Sequence, residues 1–315
     1  DSGYDVTSVT YGSGTVCGGS IDKVNNSVYR SYEGGFSRLD SELNFEPSTK
    51  IGDFESSQLY HVEVIDDEIW FALTDYTSLH EVRVLNQDGL QTASYETGKI
   101  PGDFAKWSNG ESSWVFVANE GDLDSNNGSV SMIDQDGNIQ TTDGMGEIVQ
   151  SVQVYNDKLI VIINKSSMIK IFNISESGIE MPGIEIDTNG SGPRESAIVG
   201  DRLYITNWNS QDVKVLDLSS YAFEASIPIN GTPEGIIYDG QNLWVAVPHA
   251  DLYYTTGNTV AVIDPTTNAV VETIDVGEGP QQLTEINGEI YVSRTFYDSN
   301  WNTFHGASKI TSNNN

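Results

Sequence analysis

Short, mostly apolar segments alternate with polar turns along the whole chain. Inside these segments β-branched and aromatic residues follow one another or alternate with polar ones, as in Thr259-Val260-Ala261-Val262-Ile263. Such stretches are typical of β-strands that bury one or both faces. No segment keeps a helical period over ten residues. The pattern therefore predicts an all-β protein.

A mostly apolar triplet recurs at intervals of 40 to 47 residues and divides the chain into seven units. The seven copies are Val28-Tyr29-Arg30, Ile69-Trp70-Phe71, Val115-Phe116-Val117, Leu159-Ile160-Val161, Leu203-Tyr204-Ile205, Leu243-Trp244-Val245 and Ile290-Tyr291-Val292. A second apolar residue followed by Asp or Asn and a turn comes after most copies, as at Ile133-Asp134. Each unit thus predicts four strands, and seven such units indicate a seven-bladed β-propeller of four-stranded antiparallel blades.

The two ends of the chain complement each other. The seventh unit stops after Lys309-Ile310-Thr311 and lacks an outer strand, whereas residues 4–11 form a strand that belongs to no unit. We expect this N-terminal strand to pair with the last blade, which removes two open sheet edges. A single propeller domain over residues 1–315 follows; an open solenoid is the alternative, and it would leave the N-terminal strand unused.

The sixth unit carries the most recognisable motifs. It contains Gly231-Thr232-Pro233-Glu234, then Leu243-Trp244-Val245, and later Gly277 to Pro280; the fifth unit has a similar Gly192-Pro193. This sequence resembles the repeat of YncE-like propellers, which also occur in surface lipoproteins of Bacteroidetes. The resemblance implies the propeller fold. Some members of that family sit on TonB-dependent outer-membrane transporters and capture corrinoids such as cobalamin, so the resemblance also suggests a corrinoid or nutrient capture subunit.

The negative charge of the chain restricts the classes of partner that it can bind. Asp and Glu number 46 against 15 Lys and Arg, giving a net charge of −31. So negative a surface repels phosphate backbones, so we expect no nucleic-acid partner. No run of 18 apolar residues exists, so no transmembrane segment is expected. The chain starts without Met and has one cysteine, Cys17. We expect an exported protein, extracellular or at the cell surface, with a preceding lipid anchor or a periplasmic location as alternatives.

The loops predict a binding face. In a four-stranded blade, the loop that enters the first strand and the loop between the second and third strands lie on the same side. These loops are long and aromatic, whereas the opposite hairpins are short and generic, and aromatic rings with polar tips suit stacking on ring-shaped ligands or partners. The candidate ligand-binding residues are His61, Phe104, Glu195, Asn207, Trp208, Glu234, His249, Tyr253, Tyr254, Gln281, Tyr297 and Trp301.

One acidic loop has the composition of a calcium site. Asp122, Asp124 and Asn126 offer oxygen ligands at alternating positions, as calcium loops do. The loop departs from the EF-hand pattern, because Asn127 takes the place of the turn glycine and Ile133 that of the final glutamate. We expect no cofactor, with calcium as the alternative that this loop suggests. The four histidines come from four different loops with no paired spacing, so we interpret them as separate residues.

The catalytic motifs of common enzyme classes are missing. The chain has no Gly-x-Ser-x-Gly elbow, phosphate loop or dinucleotide fingerprint. We therefore expect a propeller without catalysis that binds a small molecule or docks on an outer-membrane transporter or another protein. Two alternatives stay open at this point. One is a calcium-dependent hydrolase of the lactonase type, and the other is an extracellular protein-interaction module.

Overall fold

The computed structural model describes residues 3–12 and 19–313, and these form antiparallel β-sheets joined by turns and loops. Cys17 lies outside the described residues. The only helical segment in the described part is a 3₁₀ turn at Pro47–Thr49. The fold class is the predicted seven-bladed β-propeller. None of the described helices has the length and apolar character needed to span a membrane.

The strands follow one another with short connections. In chain order they are β1 (Tyr4–Thr10), β2 (Ile21–Val24), β3 (Ser27–Tyr32), β4 (Gly35–Arg38), β5 (Leu59–Ile65), β6 (Glu68–Thr74), β7 (His80–Leu85), β8 (Gln91–Glu96), β9 (Pro101–Ser108), β10 (Ser113–Asn119), β11 (Ser129–Asp134), β12 (Ile139–Thr141), β13 (Val149–Tyr155), β14 (Lys158–Ile163), β15 (Met168–Ser175), β16 (Gly178–Asp187), β17 (Pro193–Val199), β18 (Arg202–Asn207), β19 (Asp212–Asp217), β20 (Ala222–Pro228), β21 (Ile236–Tyr238), β22 (Leu243–His249), β23 (Thr256–Asp264), β24 (Ala269–Asp275), β25 (Pro280–Ile286), β26 (Glu289–Tyr297) and β27 (Thr303–Ser312).

Within the described residues, six sheets have four strands each, as predicted. Five of them take four consecutive strands, namely β5 to β8, β9 to β12, β13 to β16, β17 to β20 and β21 to β24; the sixth has the order β1-β27-β26-β25. The remaining sheet, β2-β3-β4, has three strands in the described residues. An isolated antiparallel bridge from Phe36 to Ile51 adds to its outer edge where a fourth strand would lie.

The chain divides into two compact units, residues 1–56 with 195–315, and residues 57–194. The larger unit holds β1 to β4 and the sheets from β17 onward, apart from the first two residues of β17; the smaller unit holds β5 to β16. The single-domain expectation over residues 1–315 is not tested by this division and stays a prediction.

The triplets lie in the second strand of each sheet, and their burial explains why six of the seven consist of apolar and aromatic residues only. In β22 of the larger unit, Val245 packs with Tyr204 of the preceding sheet, while Trp244 packs with Val292 of the following sheet. Successive side chains of a strand point to opposite faces. A strand covered on both faces therefore needs apolar residues at every position, which produces an uninterrupted triplet instead of strict alternation.

The N-terminal strand completes the last blade, which confirms the prediction for residues 4–11. Strand β1 runs antiparallel to β27, with Tyr4 opposite Ser312 and Thr10 opposite Gly306. The buried guanidinium of Arg294 donates from Nη2 to the carbonyl oxygen of Val9, at 2.8 Å, and to Thr10 Oγ1, at 3.2 Å. The two ends of the chain are thus joined by a backbone ladder and by one buried cation.

Candidate functional site

An aromatic cleft of about 670 Å³ opens in the larger unit. Its walls come from the loop between β22 and β23, from the loop between β26 and β27, and from the start of β25. The lining residues are Pro248, His249, Tyr253, Tyr254, Thr256, Gln281, Thr295, Phe296, Tyr297, Asp298 and Trp301. Second-to-third-strand loops of two neighbouring blades and an inter-blade segment therefore meet here, as the strand order of the repeat predicts.

The two loops of the cleft are organised by aspartates. Asp251 Oδ1 accepts the N–H groups of Tyr253 and Thr255 at 2.9 and 3.2 Å. Asp298 Oδ1 accepts the N–H groups of Asn300 and Asn302 at 2.8 and 2.9 Å. Side-chain hydrogen bonds, from Thr255 to Asp251 and from Asn302 to Asp298, together with these backbone bonds lower the pKa of both carboxyls. Both aspartates stay ionised at neutral pH and hold their turns.

The rings of the cleft are unusually exposed. Tyr253 is 91% exposed, Trp301 81%, Tyr254 63% and Tyr297 51%. On one side Tyr254 packs edge-on against His249, with ring centroids 5.1 Å apart. On the other side Tyr297 and Trp301 lie 6.3 Å apart. Large exposed rings gathered around one concavity are typical of surfaces that bind a ligand or a partner.

Six of the predicted ligand-binding residues line this cleft, and a seventh supports it. The six are His249, Tyr253, Tyr254, Gln281, Tyr297 and Trp301. Trp208 contacts the rings of His249 and Tyr254 at centroid distances of 5.6 and 6.0 Å, so it backs the wall that they form. Their role in binding stays a prediction.

Three predicted residues of the larger unit lie outside the cleft lining. Asn207 is buried, and its side-chain amide donates to the carbonyl oxygen of Ile205 at 2.7 Å, within its own hairpin. Glu234 is buried and donates its backbone N–H to Ala246. The backbone N–H of Glu195 donates to Thr206 Oγ1 at 3.0 Å. The structure gives these segments a role in joining strands.

The other two predicted ligand-binding residues, His61 and Phe104, lie in the smaller unit. Their rings are 5.8 Å apart. His61 belongs to a group of three side chains that the sequence analysis did not identify. Its Nε2 faces Glu63 Oε2 at 3.6 Å. One ligand atom each of His61, Glu63 and Asp103 lies within 4.8 Å of the others. These three residues are the one group of at least three His, Cys, Asp or Glu side chains in the described residues that could hold a metal ion.

The carboxyl of Asp103 has a strongly shifted pKa. Burial, with a further contribution from the charge of Glu63, raises its pKa to about 7. Its Oδ2 accepts the backbone N–H of Val152 at 2.8 Å, which fixes its orientation. The signal that could have revealed the group is the His-x-Glu spacing on one strand, since residues two apart share a face.

Two aspartates of the predicted calcium loop form ion pairs with lysines. Asp122 Oδ2 accepts Lys99 Nζ at 2.6 Å, and Asp124 Oδ1 accepts Lys165 Nζ at 3.1 Å. The lysine and Asn127 hydrogen bonds lower the pKa of Asp122. Calcium binding by Asp122, Asp124 and Asn126 stays a prediction, and an ion would have to displace both lysines.

Fold and site together define a β-propeller with an aromatic cleft in one unit. The profile of the domain of unknown function DUF5074 matches residues 113–311. This is more than half of the chain, and the protein belongs to that family. The comparison with curated proteins gives no match.

Solved structures show the same fold at low sequence identity. The WD40 domain of Pan2 from Neurospora crassa is 14% identical, with a TM-score of 0.67 over 99% of this chain and 96% of that one. Hydrazine synthase of Kuenenia stuttgartiensis is 13% identical, with a TM-score of 0.65 over 90% and 94%. The dihydro-heme d1 dehydrogenase NirN, in complex with DHE, is 16% identical, with a TM-score of 0.58 over 87% of this chain; the match spans only 57% of the NirN chain.

Proposed function

We propose that the protein is an exported, non-catalytic propeller that captures a ring-bearing small molecule in the aromatic cleft. One observation carries the proposal: four exposed aromatic rings, those of Tyr253, Tyr254, Tyr297 and Trp301, stand around one concavity on two aspartate-held turns. When a ligand stacks on an exposed ring, the apolar surface of the ring is removed from water. Each of the four rings can therefore contribute to the free energy of binding.

The dimensions and chemistry of the cleft support a small-molecule ligand. Its volume of about 670 Å³ falls in the range of roughly 300–1,000 Å³ that is usual for ligand pockets. Besides the polar tips of the tyrosines and of Trp301, the polar side chains that line it are those of His249, Thr256, Gln281, Thr295 and Asp298. Stacking therefore supplies most of the affinity, and these polar groups set the orientation of the ligand.

Within this class we propose a corrinoid as the ligand, taken up for delivery to an outer-membrane transporter at the cell surface. The support is the resemblance of the repeats around Gly231 and Gly279 to YncE-like surface propellers. The name of the structural neighbour NirN refers to a dihydro-heme d1, which is also a tetrapyrrole-derived macrocycle. A large macrocycle would lie across the cleft with one face against the rings, leaving its other face free for a partner.

The test is a calorimetric titration of the purified protein with cyanocobalamin. We expect one-to-one binding that weakens at least tenfold in Trp301→Ala and in Tyr253→Ala, because removing a stacked ring from the centre of a binding site costs about 1.4 kcal/mol or more. Tyr238→Ala is the matched control, since Tyr238 is also an exposed tyrosine of the larger unit but does not line the cleft. Its affinity should equal that of the wild type.

The outcomes separate the general proposal from the specific one. Absence of heat with cyanocobalamin but saturable binding of hemin, sensitive to the same two variants, would retain the cleft and reject the corrinoid. Binding that Tyr238→Ala weakens as much as Trp301→Ala would reject the cleft. Hydrolysis of a lactone or ester by the wild type would contradict the non-catalytic assignment.

A further inference from the structure

A second group of side chains in the smaller unit has the composition of a metal site. His61 and Glu63 are two residues apart on β5 and share one face of that strand. Asp103 reaches them from β9, which packs against β5. One imidazole nitrogen and two carboxylate oxygens thus converge within 4.8 Å from two rigid strands.

The spacing suits a small divalent cation. Two ligand atoms bound at about 2.1 Å to a tetrahedral zinc ion lie about 3.4 Å apart. His61 Nε2 and Glu63 Oε2 are already 3.6 Å apart. The third ligand atom, on Asp103, lies within 4.8 Å of the other two, so the group must close by up to about 1.4 Å. The side chain of Glu63, which is 33% exposed, has room for such a shift, whereas that of His61 is 12% exposed.

The surroundings hold the ligands in place and draw cations toward them. The N–H of Val152 binds Asp103 Oδ2 at 2.8 Å, and Phe104 packs beside the His61 ring. Such contacts behind the ligands orient them for metal binding. Two carboxylates side by side repel each other, and a cation between them removes that repulsion. The net charge of −31 adds a general attraction for cations.

We propose that His61, Glu63 and Asp103 bind one first-row divalent transition-metal ion, with Zn²⁺ as the probe. The imidazole distinguishes this site from the all-oxygen sites that Ca²⁺ and Mg²⁺ prefer, whereas carboxylates and imidazole together suit zinc and its neighbours. Three protein ligands leave one tetrahedral position for water or an incoming group. The site is independent of the aromatic cleft, because none of its residues lines that cleft.

The experiment is a titration of EDTA-treated full-length protein with ZnCl₂ in the presence of millimolar Mg²⁺ and Ca²⁺, which occupy nonspecific acidic sites. The wild type should bind one equivalent of zinc. His61→Asn and Glu63→Gln should each weaken binding at least tenfold. Glu111→Gln is the matched control for Glu63→Gln, because Glu111 is an exposed glutamate of the same unit that belongs to neither candidate cation site; its zinc affinity should stay within twofold of the wild type.

A second measurement does not depend on the stability of the variants. Co²⁺ added to the wild type should give the visible absorption of a four-coordinate site, and one equivalent of Zn²⁺ should abolish it. The proposal is overturned if the wild type binds no stoichiometric zinc under these conditions. Equal zinc binding by wild type, His61→Asn and Glu63→Gln would also overturn it, because the ion would then sit elsewhere on the acidic surface.

Discussion

Tyr254 and Trp301 occupy the same position in two matching turns of neighbouring blades. Each stands three residues after the aspartate that holds its loop, with φ of 61° and 62°. Turns of the same hydrogen-bonding pattern at Asn86 and Asp134 have Gly89 and Gly137 at this position, with φ of 79° and 81°. The cleft thus places large aromatic rings where the backbone favours glycine, and such strain concentrates at functional sites.

Trp301→Gly should separate stability from binding. Glycine adopts a positive φ without a steric cost, and the Trp301 ring is 81% exposed, so little packing is lost. We expect the free energy of unfolding to stay the same or to rise by up to about 1 kcal/mol. Ligand binding in the cleft should fall at least tenfold. Urea denaturation and calorimetry on the same preparation check both effects.

Tyr254→Gly should behave differently in the same assay. The Tyr254 ring contacts His249 and Trp208, so its removal takes away packing as well as backbone strain. The two effects should nearly cancel and leave stability within about 1 kcal/mol of the wild type. A loss of several kcal/mol in Trp301→Gly would show that the ring serves the fold and would contradict a binding role.

Gly279 fixes the strands that carry the cleft. Its N–H donates to the carbonyl oxygen of Gly257 at 2.8 Å, and its own carbonyl accepts the N–H of Thr295 at 2.7 Å. With φ at 68°, a Cβ here would lie 2.1 Å from the Thr295 carbonyl oxygen, so backbone must move. We expect Gly279→Ala to lower the free energy of unfolding by about 3 kcal/mol or more and to weaken ligand binding.

Gly288→Ala is the control for Gly279→Ala. Gly288 has a similar φ of 82°, but a Cβ there meets nothing within 4 Å. Only the backbone strain applies, at about 1 kcal/mol. Equal losses in the two variants, measured by urea denaturation, would show that the approach to Thr295 is unimportant.

The architecture was predictable because strands packed between two neighbouring blades need uninterrupted apolar segments, and these segments are visible in the sequence. Strand β22 is covered on both faces, and Leu243-Trp244-Val245 shows this as an unbroken apolar run. The first blade gave the weakest signal for a physical reason. The third position of its triplet is Arg30, which is fully buried and donates to the carbonyl oxygen of Arg294 at 3.0 Å. A charged residue that is paired through backbone carbonyls is invisible to hydrophobic pattern analysis.

The candidate sites were predictable only in part. The rings of Tyr253 and Trp301 stood out because loops with exposed aromatics have few structural explanations. Glu63 and Asp103 did not, because each looks like an ordinary strand residue and the two come from different repeats. Alignment of the repeats places His61 and Asp103 at equivalent positions, opposite Ala72 and Ala118. Which equivalent side chains touch depends on rotamers, which a sequence does not contain.

Arg294→Met should weaken the attachment of the N-terminal strand. The guanidinium, 3% exposed, donates to Val9, Thr10 and the carbonyl oxygen of Glu278. Methionine fills similar space but leaves these acceptors without their donor, so we expect a loss of about 2 kcal/mol or more in unfolding free energy. Hydrogen exchange should increase most in β1 and β27. Arg202→Met, which breaks the exposed pair with Glu224, should cost less than about 1 kcal/mol.

His305 should make stability depend on pH in the acid range. Burial, with a smaller contribution from the charge of Arg30, lowers its pKa to about 4, against about 6.5 in the unfolded chain. Above about pH 7.5 the imidazole is neutral in both states. Between pH 6.5 and 4 the unfolded state binds the extra proton, so the free energy of unfolding falls as the pH falls, by up to about 1.4 kcal/mol per pH unit.

His305→Gln keeps a group that can hydrogen-bond to Thr295 but does not titrate. We therefore expect the difference in unfolding free energy between wild type and His305→Gln to be constant above about pH 7.5 and to shift in favour of the variant as the pH falls toward 4. A difference independent of pH, measured by urea denaturation between pH 4 and 8, would show that the imidazole is protonated in the folded protein as readily as in the unfolded chain.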